Sequence, residues 1–461
     1  MIRLCNLYLP SQLFLFIAID GAFLTLVLLA ALNAGPMHLL PLPTWKTFFM
    51  AATGGAVSIW CLYFFDLYDL DLAKSTPELL LQGLRALGCG LLLIAPIWWL
   101  LMPSEGVYRT LEPSLVLFIV VLCSYRFIAD FLGRRRLRGE RVLLVGTGPS
   151  ISLVADAMKQ RGCLPLRMTG VVVEDLGTHA GKLAFATCGH LGEFEAVTRS
   201  FRPDRIAVGL QPNAPLLSPS RLYELRRSGV RVEDATELYE SLTGRVPVEL
   251  VAVERMAYGR GFGQSGLSKA LYRVVEFLLA IGAIVVLMPL FVVIGLAIKL
   301  TSKGPILYQQ ERVGTFGKTF NTLKFRSMRA DAEKLSGPVW ATDKDPRVTT
   351  IGRFLRKARL DEFPQLWNVV RGEMHFVGPR PERPHFVAML REHIAYYDLR
   401  HSIPPGITGW AQVCASYGSN IEESRTKLEY DLFYLKNRSP LFDLLILFKT
   451  VKIAVFGRGA R

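Results

Sequence analysis

Residues 277–298 form an uninterrupted apolar run with no charged side chain. At about 1.5 Å of rise per residue, a helix of this length can span ~30 Å of hydrocarbon. Two features oppose a simple crossing. Pro289 lies near the midpoint, where it removes a backbone donor and crowds the preceding turn. Lys269 and Arg273 precede the run, and Lys299 and Lys303 come after it. Basic flanks favour the cytoplasmic side of a membrane. Both flanks obey that preference only if the chain returns to the side it entered. The expectation is a re-entrant helical hairpin kinked at Pro289, with its freed backbone groups satisfied by protein or water.

Four further apolar segments, at 12–32, 47–65, 83–102 and 111–132, are near spanning length. Breaks at Asn33 to Pro36, Asp66 to Lys74 and Pro103 to Gly106 mark the turns between them. No small-residue cleavage site comes after the first, so it reads as an uncleaved anchor. The cluster Arg134, Arg135, Arg136 and Arg138 comes directly after the fourth and should stay cytoplasmic. Four crossings then return the N-terminus to the cytoplasm. With 51% hydrophobic and 20% charged residues, the chain is apolar for a soluble protein. Residues 1–132 sum to −2 (six Lys/Arg, eight Asp/Glu), so the remaining residues sum to +17 to give the net +15. That charge suits anionic lipid and phosphorylated ligands, and the apolar segments argue against nucleic acid. The seven Cys include no CxxC pair, which excludes a thiolate zinc site of the usual spacing.

Arg141 to Gly146 reads as a strand entering the turn Gly146-Thr147-Gly148-Pro149-Ser150, with a helix after it. Strands are also expected at Met168 to Val173 and Arg205 to Leu210, giving a parallel α/β sheet. The third glycine of the dinucleotide fingerprint is replaced by Ile151, so a structural or regulatory role is expected before a bound dinucleotide. Val232 to Val248 reads as the edge of this domain. Glycines at 259, 261, 263 and 266 supply a flexible link to the next module.

That module is densely polar beyond its apolar run. Its landmarks are Lys299 to Pro305, Gln309 to Gly314, Lys324 to Arg329, Leu360 to Asn368 and Val377 to Glu382. Arginine clamps anionic oxygens with fixed, paired donors. Adjacent carboxylates can hold a hard divalent cation, and a carboxylate can itself attack phosphorus. The pair Asp361-Glu362 alone is weak, because such pairs are common on solvated helices. Set among Arg359, Pro364, Asn368 and the Gly378-Pro379-Arg380-Pro381-Glu382 turn, it points to phosphate chemistry.

At these residues the sequence resembles the bacterial sugar transferase family of monotopic phosphoglycosyl transferases, in its large polyprenyl glycosylphosphotransferase branch. The matching residues are Lys299 to Gly304, Glu311 to Gly314, Lys324 to Met328, Leu360 to Glu362 and Val377 to Pro381. The resemblance implies a mixed membrane protein. It has a four-helix transmembrane block (1–138), a cytoplasmic Rossmann-like, CoA-binding-like α/β domain (139–250), a linker (251–268) and an α/β catalytic module with the re-entrant hairpin (269–461).

By that resemblance Asp361 is the nucleophile and Glu362 its Mg²⁺ partner, with Asp361 sharing the metal. Arg312, Lys324, Arg326 and Arg380 are phosphate contacts, and Pro381 stiffens a substrate loop. Tyr430 and Asp431 face the donor nucleotide. Arg353, Arg356 and Arg359 have the spacing of a basic stripe toward lipid. The implied reaction moves sugar-1-phosphate from a UDP-sugar to undecaprenyl phosphate, releases UMP and begins exopolysaccharide or O-antigen assembly. The implied setting is the bacterial inner membrane, multi-pass, with the catalytic module facing the cytoplasm. Membrane lipids and downstream polysaccharide glycosyltransferases are the implied partners, and a homodimer stays open. The alternative is an inactive membrane scaffold for polysaccharide assembly. The donor sugar is not legible in the chain.

Overall fold

The computed structural model describes residues 2–4, 7–9, 11–34, 44–67, 76–101, 140–160, 166–173, 187–210, 219–250, 266–329, 345, 347–415 and 420–456. Apart from a few N-terminal residues, two compact units meet in sequence between Leu238 and Tyr239.

The first unit opens with a two-stranded ribbon of β1 (Ile2–Leu4) and β2 (Leu7–Leu9). Three apolar helices come next, Ser11–Ala34, Thr44–Phe64 and Thr76–Leu101. Leu24, Leu28, Met50, Leu62 and Ile94 form their common core. The described apolar stretches are Ile17–Leu29, Phe48–Phe64 and Leu81–Pro96, each shorter than a full span. The fourth expected segment, 111–132, and the arginine cluster after it lie outside the described residues.

The α/β portion is a five-stranded parallel sheet in the order β5-β4-β3-β6-β7. Its strands are β3 (Glu140–Val145), β4 (Leu166–Val173), β5 (Thr187–His190), β6 (Arg205–Val208) and β7 (Arg231–Asp234). Val142 to Val145 and Val171 to Val173 are fully buried, as continuous apolar strands in a covered parallel sheet must be. The glycine-rich turn after β3 serves main-chain packing. Gly146 has φ +117, and a Cβ there would meet Gly209 O at 2.3 Å. Gly148 N donates to the same oxygen at 3.1 Å.

The second unit begins earlier than the expected catalytic module. Residues 239–250, read from sequence as the end of the middle domain, fold with it. Trp410 Nε1 donates to Gly244 O at 2.9 Å, Val246 N to Glu429 O at 3.1 Å, and Lys436 pairs with Glu240 at 2.7 Å. These contacts join a short segment to helices Trp410–Cys414 and Ile421–Asn437, and no apolar periodicity announces them.

Helix Gly266–Thr301 carries the apolar run. It continues through Pro289 as one helical segment. Proline removes a single backbone donor, and the apolar residues on either side continue the helical pattern. Within it, Lys269–Thr301 is the one stretch among the described residues long and apolar enough to cross a membrane. Both of its halves are held by the second unit. Ala280 is buried with Val369 and Met374, and Ile294 and Ile298 with Phe325 and Leu355. Between them Val285, Val286 and Met288 are exposed.

Strands β8 (Leu307–Val313) and β9 (Thr319–Phe325) form an antiparallel hairpin pairing Leu307 with Phe325 and Val313 with Thr319. Helix Thr350–Lys357, the 3-10 helix Leu360–Gln365 and helix Leu366–Arg371 come after it. Short strands β10 (His375–Val377) and β11 (Gly406–Thr408) pair in parallel. The core of this unit gathers Val377, Leu390, Trp410, Leu428, Phe433, Tyr434 and Phe442. Phe442 and Ile446 in that core belong to helix Pro440–Phe456, so the apolar tail packs over the unit.

Candidate active site

Asp361 and Glu362 lie in the first turn of the 3-10 helix Leu360–Gln365. The residue before it, Arg359, has φ 55 in the left-handed region. A non-glycine residue held there costs roughly 1–3 kcal/mol, which the packing around it must offset. That packing is visible on both sides. Upstream, Thr349 N donates to Ser327 O at 3.0 Å, and the Thr349 hydroxyl caps Gly352 N at 3.0 Å. A Cβ on Gly352 would meet Ser327 O at 1.9 Å, so helix Thr350–Lys357 starts directly against the strand end. Downstream, Asn368 is fully buried. Its side chain accepts from Leu323 N at 3.0 Å and donates to Asn321 O at 2.8 Å and Glu373 Oε2 at 2.7 Å. The acid pair is thereby fixed beside β9.

Lys324 extends from β9 and donates to Glu362 Oε1 at 3.0 Å. Arg380 donates to the same oxygen at 2.6 Å. Burial alone would raise the Glu362 carboxyl, but the charges of Arg380 and Lys324 override it and hold the group well below the usual range. Burial also lowers Lys324, despite the neighbouring acid. Asp361 is buried too, yet among the described residues it makes no hydrogen bond or ion pair. Burial first, and the adjacent Glu362 charge second, raise its carboxyl above the ordinary aspartate value. The two adjacent acids thus have opposite environments: one is clamped by two cations, and the other makes no hydrogen bond or ion pair among the described residues. A basic, unpaired carboxylate is the better nucleophile.

The other expected site residues divide. Arg326 is buried and donates through NH2 to Ser302 O at 2.9 Å and Ser302 Oγ at 2.8 Å. Its Nε and NH1 are buried without a hydrogen-bond partner. Such donors are costly to leave unmade, and an anionic ligand would satisfy them. Arg312 is already engaged: NH1 donates to Pro381 O at 2.9 Å, and Nε donates to Gln310 Oε1 at 3.1 Å. Pro381 is buried in the loop that presents Arg380. Arg356 donates to Ser327 Oγ at 3.1 Å, while Arg353 is exposed. Tyr430 packs under Arg245, 4.6 Å from ring centroid to guanidinium, and edge-on to Trp410. Asp431 is buried against Arg400 at 2.8 Å. Neither side chain contacts the Asp361-Glu362 pair. Arg400 carries no signal in the sequence. Its flanking residues resemble a turn, and only the fold brings it to Arg380.

The bacterial sugar transferase family model matches residues 267–457, which contain every residue of this site. A UDP-glucose:undecaprenyl-phosphate glucose-1-phosphate transferase of Klebsiella pneumoniae is 39% identical over 351 residues, covering 72% of this chain and 72% of that protein. The chain belongs to the bacterial sugar transferase family. Two further relatives match over shorter stretches. A UDP-N-acetylgalactosamine-undecaprenyl-phosphate N-acetylgalactosaminephosphotransferase of Aeromonas hydrophila is 39% identical over 225 residues, 49% of this chain and 52% of that one. An exopolysaccharide production protein of Sinorhizobium fredii is 38% identical over 213 residues, 42% of this chain and 88% of that one. The matched part of this sugar transferase thus spans about half the length of the Aeromonas relative and most of the Sinorhizobium one.

Proposed function

We propose that this chain transfers sugar-1-phosphate from a UDP-sugar to undecaprenyl phosphate, releasing UMP and starting an exopolysaccharide or O-antigen unit. The observation that carries this reading is the unpaired Asp361 carboxylate beside a Glu362 held by Lys324 and Arg380. An Asp361 oxygen attacks the sugar-bearing β-phosphorus. The bond from that phosphorus to the bridging oxygen breaks, and UMP leaves with the electron pair. An oxygen of the lipid phosphate then attacks the same phosphorus, and the acyl–phosphate bond breaks to restore the carboxylate. The bond between sugar and phosphate survives both displacements.

Lys324, Arg380 and the open donors of Arg326 are candidates to take the phosphate oxygens. A hard divalent cation fits the same acids. Both cationic contacts of Glu362 fall on Oε1, and Asp361 offers two oxygens. The described residues provide no cluster of three or more acidic, His or Cys groups, so substrate oxygens and water must complete the shell. Asp361 and Glu362 would hold Mg²⁺, which when bound neutralises diphosphate charge.

The setting is the bacterial inner membrane, with the catalytic unit on the cytoplasmic side where nucleotide sugars are made. We read helix Gly266–Thr301 as bending at Pro289 and returning to the side it entered, a reading supported by the packing of residues in both of its halves on one unit. Four N-terminal spans complete a multi-pass anchor, and the parallel sheet is a Rossmann-like scaffold. Relatives differ in the sugar that their names carry, N-acetylgalactosamine in one and glucose in another, so the donor is a separate question. An inactive scaffold would have no use for an unpaired acid beside a clamped one.

The test is purified protein in detergent or nanodiscs with undecaprenyl phosphate, Mg²⁺ and a panel of UDP-sugars. UMP and a lipid-diphosphate sugar are the expected products. Absence of both across the panel would sink the enzymatic reading.

A further inference from the structure

Pro379, Arg380, Pro381 and Glu382 present four successive carbonyls, and each meets a donor from elsewhere in the unit: two from β8, one from β11 and one from Arg400. Gly406 N donates to Pro379 O at 3.0 Å, and Val313 N donates to Glu382 O at 2.9 Å. Arg400 NH2 donates to Arg380 O at 3.0 Å, and Arg312 NH1 to Pro381 O at 2.9 Å. Two of these bonds come from main chain and would survive most substitutions. The other two depend on side-chain identity.

Arg400 is the deeper of the two arginines, with 5% of its surface exposed. A charge that far from water must be paired and hydrogen-bonded. Asp431, 1% exposed, lies 2.8 Å away, and the Tyr397 hydroxyl accepts from NH1 at 2.5 Å. The nitrogen that faces Asp431 also donates to the carbonyl of Arg380, while Nε is buried without a hydrogen-bond partner. That residue's own side chain donates to Glu362 at 2.6 Å. A continuous line of contacts therefore runs from Asp431 through Arg400 and the Arg380 main chain to the acid beside Asp361.

We propose that Arg400, paired with Asp431, is a positioning residue for phosphoryl transfer: it fixes the Arg380 main chain and so aims the guanidinium that clamps Glu362. This rests on the transferase reading above. The role requires arginine. Its planar fork serves the carboxylate, the phenol and the carbonyl at once, whereas a lysine ammonium is a point charge on a flexible stem. It also assigns Asp431, expected from sequence at the donor nucleotide, to the support behind the loop.

The experiment is a double-mutant cycle in the full-length protein, reading first-turnover UMP release and the donor KM. Arg400→Lys is expected to lower kcat about tenfold or more with little change in KM. In an Arg380→Ala background, the same change should cost less than about twofold further, because its route to the site is already cut. Hydrogen exchange of the peptide covering 376–383 should rise in Arg400→Lys and leave helix Ile421–Asn437 protected. Equal losses in both backgrounds, or wild-type turnover with unchanged exchange, would overturn the proposal. If Arg400→Lys fails to fold, Asp431→Asn enters the same cycle under the same criteria. If wild-type protein releases no UMP from any donor, the transferase reading fails, and the exchange arm alone decides whether Arg400 holds the loop.

Discussion

Arg380 donates to Glu362 Oε1 at 2.6 Å, on the oxygen that Lys324 also reaches at 3.0 Å. In the proposed reaction, two cations on one carboxylate oxygen leave the neighbouring Asp361 as the attacking acid. This asymmetry yields separable outcomes for the two acids. Asp361→Asn should abolish covalent capture of the sugar-phosphate, because the amide cannot attack phosphorus. Glu362→Gln keeps the attacking group and should lower the capture rate without abolishing it, by roughly 10²-fold. Mass spectrometry of protein quenched after mixing with UDP-sugar reads both. Capture persisting in Asp361→Asn would remove Asp361 as nucleophile.

Arg380→Ala should leave Glu362 buried with a single partner. Truncating one member of a buried charge pair costs about 2–5 kcal/mol, most of it from the charge left behind. We expect kcat to fall by roughly 10²-fold or more, with Arg380→Lys recovering only part of the loss. Comparable activity in the alanine variant and wild type would show that Glu362 does not need its second cation.

Burial pushes Glu429 up to about 7, against the lowering pull of Arg245. A carboxyl whose folded pKa exceeds its unfolded value favours the folded state most when protonated. Its contribution is therefore full below about pH 4.5 and is lost as pH rises through 7. Glu429→Gln should flatten the stability profile between those limits and raise the melting temperature at pH 8. Scanning calorimetry from pH 5 to 8 measures the slope; an unchanged slope would mean that other groups set it.

Gly352→Ala places a methyl 1.9 Å from Ser327 O, a backbone atom that cannot swing aside. Overpacking of this kind costs roughly 1–3 kcal/mol or more. The variant should unfold earlier, with reduced turnover because the strand bearing Lys324 ends at that contact. A melting temperature equal to wild type would show that the helix start can retreat.

Lys269→Cys and Lys303→Cys test how the apolar helix meets the bilayer. Both cysteines should react with an impermeant maleimide only from the cytoplasmic side in inverted vesicles. Labelling from opposite sides would establish a crossing.

The acid pair and most of its cationic neighbours are legible in the sequence because they cluster within short motifs with fixed chemistry. Strands β3, β4 and β6 are legible for a similar reason, since a buried parallel strand is a continuous apolar run. Arg400 and residues 239–250 are not. Their role comes from contacts between residues far apart in sequence, Arg400 to Arg380 and Gly244 to Trp410, with no periodic pattern to mark them. Pro289 does not end the helix. Its local rule is strong, yet the helical residues around it carry the helix past one missing donor. Arg312 stands out by its charge, but its guanidinium is engaged by Gln310 and the Pro381 carbonyl.

The main chain from Pro379 to Glu382 has each of its acceptors committed to an interior partner. A loop so tied cannot shift to admit a bulkier sugar without breaking a bond that water is poorly placed to replace. Relatives' names carry glucose or N-acetylgalactosamine, and in this chain a preference between such donors would have to come from side chains elsewhere around the site. The loop would act as a fixed ruler for phosphate position, and a search for donor preference should begin outside it.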